Sequence, residues 1–466
     1  MNLHVIILAA GKGSRMKSAT PKVLHSIAGV PMLHRVMSIA KRLAPEQMHL
    51  VLGHGIEAIQ DTLAEQWSST NIVRQPEQLG TGHAVNIALE HVPNDSISLI
   101  LCGDVPLITA ETLERCVAIA RAGELGVVTA NMSDPAQLGR ILRDETDSIE
   151  AIVEFKDATP QQRAIHEVNS GILAAPTHML RGWLAEVQPG NQQGEYYLTD
   201  VVALAVNDGV GVQGILVKNE SEVIGVNDRL QLALVERIAQ RQHTDELMRQ
   251  GVTFADPDRV DIRGSLSCGT DCFIDVNTVF IGDVRLEPGV LIGPSVVVES
   301  SHLGTGVQVK ANTVIEGAIV GEGCHLGPFA RIRPGSNFAP GVKIGNFVET
   351  KQTIMGAGSK ANHLAYLGDA TIGGHVNVGA GSVTCNYDGV DKHATLIGDG
   401  AFIGTNSTLV APLTIGTESF VAAGSTVTSN VEDQSLAVGR GKQRNIAKWL
   451  SPLRRKQKST PEDYFR

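Results

Sequence analysis

Aromatic side chains are scarce in this chain of 466 residues: Phe, Tyr and Trp together make up 4%. Its core therefore cannot rest on large rings and must be packed from small aliphatic groups. An excess of positive charge is also missing. The 39 Lys and Arg are outnumbered by 49 Asp and Glu, for a net charge of −10. No global field draws a phosphate backbone, which excludes a general nucleic-acid binder but not a local basic pocket. CxxC pairs are absent. The six cysteines are Cys102, Cys116, Cys268, Cys272, Cys324 and Cys385. Cys268 and Cys272 lack the second pair of a metal knuckle, so free thiols in a reducing compartment are expected. Long apolar runs are missing too. The longest, such as Val5–Ala10, fall far short of the ~20 residues that span a bilayer. The N-terminal Met-Asn-Leu-His-Val carries no basic segment or cleavage site. The expectation is a cytoplasmic protein with no membrane span. A hydrophobic share of 42% excludes disorder of the whole chain.

Glycine is abundant, at 49 residues, and two halves of the chain use it differently. The first half alternates strand and helix patterns, as in an α/β Rossmann-like layer fold. Val5–Leu8, His49–Leu52 and Ile97–Cys102 read as strands apolar on both faces, and Leu33–Leu43 as a helix. Asp228–Gln250 reads as an amphipathic helix with a narrow stripe of Leu230, Leu234 and Ile238, ending at Gly251. We read it as an arm between domains, and place the domains at 1–228, 229–250 and 251–466.

From residue ~262 a six-residue period takes over. Ile274, Phe280, Leu286, Ile292 and Val298 keep it. After a step of five come Leu303, Val309 and Ile315, and after another Val320, Leu326, Ile332, Phe338 and Ile344. Ile397, Ile403, Leu409, Ile415, Val421 and Val427 return to strict phase. The next residue is often glycine. Such a period fits neither a helix nor an alternating strand. It fits a three-sided prism of short parallel strands, a β-helix with ~18 residues per coil, with glycine at the corners for conformations that a Cβ penalises. A β-sandwich with glycine turns fits less well, because its turns come every ~8–12 residues. Between Ile344 and Ile397 the inward series becomes Thr350, Met355, Ala361, Leu367, Ile372, Val378 and Thr384, followed by an extra loop at Asn386-Tyr387-Asp388-Gly389. Insertions in solenoids often carry the binding face. Lys442–Arg466 is basic, with Arg454, Arg455, Lys456 and Lys458 clustered. It reads as a mobile tail, or less well as a phosphate-attracting one.

Three pieces of the first half carry chemistry. Leu8-Ala9-Ala10-Gly11-Lys12-Gly13-Ser14-Arg15 follows the first strand and presents backbone N–H groups to a phosphate. It is neither a Rossmann fingerprint nor a Walker loop, and Arg15 and Lys22 add two cations suited to a polyphosphate. A plain strand–helix turn explains the glycines equally well. Gln75, Gln78, Gly80 and Thr81 form a loop whose amides match a nucleobase edge, or a loop before a helix capped by Thr81. Cys102-Gly103-Asp104 ends an apolar strand, where open α/β sheets bind ligands. Asp104 is there a hard-oxygen ligand for Mg²⁺ or a turn aspartate. In the second half, His363 lies two residues beyond the inward Ala361 in the faltering segment. A histidine there is a surface residue or a proton acceptor near neutral pH.

The motifs LAAGxGxR, PKVL, EQLGTGHA and GDVPL, in that order, resemble the sugar-nucleotide pyrophosphorylases. With the second half added, nearly the whole chain resembles the bifunctional bacterial N-acetylglucosamine-1-phosphate uridylyltransferase/glucosamine-1-phosphate acetyltransferase family. That resemblance implies a left-handed β-helix behind the nucleotidyltransferase domain. It implies that Leu8, Ala9, Ala10, Gly11, Gln75, Gln78, Gly80, Thr81, Cys102 and Gly103 line the UTP and UDP-sugar site. Arg15 and Lys22 would stabilise phosphate charge, Asp104 and Asn227 hold Mg²⁺, and Gly139, Glu154 and Asn169 grip the sugar. Cys102 stands where the family pattern has Tyr. In the second site, His363 would be the base. Arg333, Lys351, Tyr366, Asn377, Asn386 and Tyr387 would hold the sugar phosphate, and Ala380, Thr405, Ala423 and Arg440 acetyl-CoA. Thr405 replaces the commoner Ser. A homotrimer is implied as well, and the product, UDP-N-acetylglucosamine, would feed peptidoglycan and lipopolysaccharide precursors. Two other readings stand beside this one: a monofunctional pyrophosphorylase with a regulatory or oligomerising β-helix, and a non-catalytic assembly rod.

Overall fold

The computed structural model describes residues 1–53, 55–63 and 67–454. Arg455, Lys456 and Lys458 of the basic tail lie outside them. The chain forms two compact units, Met1–Arg285 with Val297–Ser300, and Leu286–Val296 with Ser301–Arg466.

The first unit is built on a mixed sheet. Its strands are β1 (Leu3–Leu8), β2 (Gln47–Leu52), β3 (Asn71–Arg74), β4 (Ile97–Cys102), β5 (Leu125–Asn131), β6 (Arg140–Arg143), β7 (Ile149–Val153), β8 (Glu167–Pro176) and β9 (Val212–Leu216). The main path runs β9-β5-β8-β4-β1-β2-β3, with β6 and β7 branching from β8. β1 pairs in parallel with β2 and β4, whereas β8 runs antiparallel to β4 and β5. Val5 and Ile7 lie in one core and Ile6 in another, so the sheet is covered on both faces, as the near-continuous apolar strands require. β1 is flanked on both sides by later strands. The crevice beyond its carboxyl end is the topological switch point at which such sheets bind ligands.

The helix α1 (Met32–Arg42) covers one face. The long helix spans Arg229–Arg249, and Asp228 caps it by accepting from Leu230 N and Gln231 N, both at 2.9 Å. Its buried side is Val235, Ala239, Gln240, Thr244 and Leu247. The expected stripe is displaced: Leu230 and Leu234 are exposed. Polar tertiary contacts set the helix face instead. Glu236 Oε2 accepts from Ala28 N at 2.6 Å, and the Gln240 amide both donates to Ile262 O (2.9 Å) and accepts from Ile262 N (2.8 Å). These bonds join the helix and the first coils to the sheet unit, so the boundary by compactness falls later than residue 250.

In the second unit, short strands stack in parallel ladders. Leu291–Ile292, Gln308–Val309, His325–Leu326 and Lys343–Asn346 follow in one ladder, continued by Lys360–His363, Asn377–Val378, Phe402–Ile403 and Phe420–Val421. Every residue of the inward series is buried, including the irregular run from Thr350 to Thr384. Each buried aliphatic contributes about 1.5–3 kcal/mol. Phe280 and Phe338 are the only rings in the series, which is how a chain poor in aromatics fills this interior. The corner glycines act in two ways: Gly282 (φ +69°) and Gly327 (φ +84°) take the left-handed torsion expected of them, whereas others make room for the next coil. Gly345 has no positive φ; a Cβ there would sit 1.9 Å from Asn362 O. Its missing side chain admits the backbone of the next coil. Other left-handed corners fall on glycines such as Gly306 and Gly341 and on residues such as Phe329, Phe347 and Leu364.

Two candidate active sites

At the switch point, a cavity of about 770 Å³ opens between the ends of β1, β3 and β4. Leu8, Ala9, Ala10, Gly11, Lys22, Gln75, Gln78, Gly80, Thr81, Cys102 and Asp104 line it. Gly53 and Glu195 line it too and were missed, because neither sits in a recognisable motif. A Cβ on Gly53 would meet Ala10 O and Gln78 Nε2, each at 2.9 Å, so this glycine lets two loops meet. Gly13, at φ +59°, does the same for Lys22, whose Cβ lies 2.7 Å from the ideal Cβ position. Lys22 is thereby pressed against the glycine turn. Arg15 is exposed and does not line the cavity, and neither does Gly103.

The Lys22 ammonium is ion-paired with Asp104 and accepted by Asn227 Oδ1 at 3.2 Å. One cation thus joins two oxygen donors that lie far apart in sequence. Val226 N donates to Asp104 O at 2.9 Å, tying the two segments together. Asp228 caps the helix, as expected. The amides of the second motif are less free than expected. Gln78 Nε2 donates to Ala10 O at 2.6 Å, and Gln75 Nε2 contacts Gly80 O (3.3 Å) and His83 Nδ1 (3.1 Å). Thr81 does not cap its helix. Its hydroxyl accepts from Leu198 N at 3.1 Å, while Gly80 holds the cap position.

Gly139, Glu154 and Asn169 come together beside the cavity. Asn169 N donates to Gly139 O at 2.9 Å, and a Cβ on Gly139 would lie 3.5 Å from the Glu154 carboxyl. Burial raises the Glu154 pKa above the usual carboxylate range, partly offset by the Thr199 hydroxyl that donates to it at 3.1 Å. Asp200, Asp157 and Glu195 push it further up. A carboxyl accepts hydrogen bonds when ionised and donates one when protonated. Cys102 links the two parts, its Sγ lying 3.7 Å from Gly171 O. Burial, with Asp104 nearby, pushes its thiol up to about 12, so it is no nucleophile. No disulfide joins any of the six cysteines, all of which lie among the described residues.

The second site is set by ladder register. Ile344, Ala361, Val378, Ile403 and Val421 are successive inward partners. Two residues after each come Asn346, His363, Ala380, Thr405 and Ala423, which therefore share one corner of the prism. Arg440 ends this column, its Nη1 donating to Ala423 O at 2.7 Å. Round the corner from His363, Tyr366 opens the next side. Glu349 pairs with Tyr366 and Lys351 with Gly368 in the ladder, and Arg333 Nη1 donates to Glu349 Oε1 at 2.8 Å. The Tyr366 hydroxyl and the Asn386 amide converge over Gly368, 2.5 and 2.8 Å from where its Cβ would be. Asn386 also donates to Asp369. The extra loop is pinned by His393 Nε2 against Asp388 Oδ2 at 2.8 Å, and by Tyr387 OH donating to Gly389 O at 2.6 Å. Sequence reasoning missed Lys392 in this loop. Lys351 nearby pushes its pKa down. Neighbouring ammoniums suit a multivalent anion. The signal was a lysine inside the insertion that interrupts the period.

Strand order, switch-point crevice and a cation shared by two oxygen donors define a nucleotidyltransferase. Consistent with this, residues 5–172 match the family model of the MobA-like NTP transferase domain. Over the whole chain, it is 52% identical over 450 residues to the bifunctional protein GlmU of Marinobacter nauticus, covering 97% of this chain and 99% of that protein. It is 50% identical to GlmU of Alkalilimnicola ehrlichii (99% of each chain) and 50% identical to that of Stutzerimonas stutzeri (98% of this chain, 100% of that protein). The chain belongs to the GlmU family. It is a bifunctional enzyme, a uridylyltransferase and acetyltransferase that produces UDP-N-acetylglucosamine. No helix among the described residues is long and apolar enough to cross a membrane.

Proposed function

We propose that the two sites divide the two reactions by residue as follows. At the prism corner, the amine of glucosamine-1-phosphate attacks the thioester carbonyl of acetyl-CoA. An N–C bond forms, the C–S bond breaks, and His363 takes the amine proton and passes it to the departing sulfur, so that CoA leaves as the thiol. Arg333, Lys351, Tyr366, Asn377, Asn386 and Tyr387, with Lys392, hold the sugar phosphate. Ala380, Thr405, Ala423 and Arg440 hold acetyl-CoA along the column. At the switch point, a phosphate oxygen of N-acetylglucosamine-1-phosphate attacks the α-phosphorus of UTP in line and pyrophosphate leaves, with no enzyme nucleophile. Lys22 and Arg15 neutralise phosphate charge, and Gly139, Glu154 and Asn169 orient the sugar.

Mg²⁺ fits the first site by the chemistry of its donors. Asp104 and Asn227 offer hard oxygens already joined by the Lys22 cation. Two protein oxygens suit an ion that takes its other ligands from phosphates and water. When bound, it supplies further neutralisation of charge on the triphosphate. Assembly as a homotrimer is supported by an exposed apolar edge on successive coils, where Phe329 and Phe347 stack at 5.5 Å and Leu364 is next to them. Six cysteines with no disulfide among them support a reducing, cytoplasmic setting.

The observation that carries the division is the shared corner of His363, Ala380, Thr405 and Ala423, since a scaffold needs no proton acceptor at the head of such a column. The test is to incubate the protein with glucosamine-1-phosphate, acetyl-CoA, UTP and Mg²⁺ and identify products by mass. The N-acetylated sugar phosphate should form without UTP, and UDP-N-acetylglucosamine only when all are present. Pyrophosphate release from N-acetylglucosamine-1-phosphate and UTP, with no acetylation under any condition, would leave a monofunctional pyrophosphorylase.

A further inference from the structure

The residue one coil before His363 in the corner column is Asn346, and the ladder makes the two direct partners. Their side chains meet: His363 Nδ1 and Asn346 Oδ1 are 2.8 Å apart. The backbone fixes the pair from beneath, with Leu364 N donating to Asn346 O at 3.0 Å. Gly345 contributes as well, because only a missing Cβ lets the Asn362 carbonyl approach this close. Among the described residues His363 makes no ion pair, and Asn346 is its one recorded side-chain hydrogen-bond partner. The ring is otherwise exposed. An exposed imidazole samples two tautomers and several orientations, and only the form protonated on Nδ1 leaves a lone pair on Nε2.

We infer that Asn346 is a positioning residue for the acetyl transfer, its amide oxygen accepting from Nδ1–H so that Nε2 is held as the proton acceptor. This deepens the assignment of His363 as base and rests on it. The amide also suits the next moment of the reaction. When Nε2 takes the amine proton, the imidazolium still donates from Nδ1 to an oxygen that carries partial negative charge. A neutral acceptor stabilises that state without holding the resting ring protonated, which a carboxylate in this position does.

Two substitutions separate this role from simple packing. In N346A, the acetylation kcat should fall ~10–100-fold with the KM for glucosamine-1-phosphate within about twofold, because general-base catalysis is worth ~10²–10⁴ and orientation a part of it. In N346D, the acceptor is kept and a negative charge added. The protonated ring is favoured, so the acid limb of the kcat–pH profile moves to higher pH, while activity above that limb is largely retained. If Asn346 instead donated from its amide nitrogen to Nδ1, aspartate would remove the donor, and N346D would remain as impaired as N346A at high pH. That outcome overturns the proposal, as does an N346A enzyme with unchanged kcat. Uridylylation by the same preparations reports folding and should be unchanged. H363A is run alongside. Full acetylation by H363A overturns the base assignment itself, whereas loss in H363A beside an unimpaired N346A overturns the role of Asn346 alone.

Discussion

Gly80→Ala tests how the nucleotide cavity is made. Gly80 has φ +118°, and a Cβ there would lie 2.5 Å from Tyr196 O and 2.8 Å from Tyr196 N. Both clashes are with backbone, so no rotamer relieves them. Tyr196 must move, yet it is held by Tyr196 N donating to Leu79 O and Gly82 N donating to Tyr196 O, both at 2.8 Å. Left-handed strain in alanine costs about 1–3 kcal/mol, and two backbone hydrogen bonds add about 1 kcal/mol each. The loop as found is then disfavoured by about 3–5 kcal/mol, which is ~10²–10⁴ in kcat/KM for UTP if a displaced loop does not bind nucleotide. Pyrophosphate release measures this. Release of CoA from acetyl-CoA should be unaffected, because the histidine column lies in the other compact unit. A G80A enzyme with near-normal kcat/KM for UTP would refute the argument that the close approach of Gly80 to Tyr196 shapes the site.

Asp104→Ala should abolish Mg²⁺-dependent pyrophosphate release and spare acetylation; uridylylation at the normal rate would remove Asp104 from the metal site. His363→Ala should lower acetylation ~10²–10⁴-fold with uridylylation intact, and parallel loss of both in a folded variant would contradict separate sites. Stability of the sheet unit should depend on His49. Burial, then the charges of His4 and His91, holds this imidazole down to about 4. A depressed histidine is stabilising in its neutral form, so the contribution is complete above the unfolded value of ~6.5 and is lost as pH falls towards about 4, by up to ~3 kcal/mol. Urea midpoints at pH 7 and pH 5 measure it, and equal midpoints would show that His49 titrates normally.

Much of this was legible because the signals were periodic or local. The inward series of the prism came from spacing alone, and all of it is buried. Leu8–Gly11, Gln75–Thr81 and Asp104 stood out because glycine turns at strand ends have few uses, and they do line one cavity. What stayed hidden depends on contacts across the chain. Leu230 and Leu234 suggested a helix face that Gln240 and Glu236 override by pairing with Ile262 and Ala28. Gly53 carries no motif, and its role exists only where Gln78 crosses it. The corner glycines were found for only part of the reason: Gly282 and Gly327 do take left-handed torsions, but Gly345 is there because a ladder demands room between coils. Lys392 stood out only through its proximity to Lys351, which its spacing does not show.

The stacked prism also sets distance along its axis separately from choice of edge. Adding or removing an entire coil would change the reach from His363 to the Arg440 guanidinium by ~4.8 Å while leaving every side chain on its own edge. Adding a single side would rotate all later residues onto the neighbouring face and scatter the column. Such a frame is a ruler graduated in coils, able to be recut for a longer or shorter carrier molecule without redesigning the chemistry at its head.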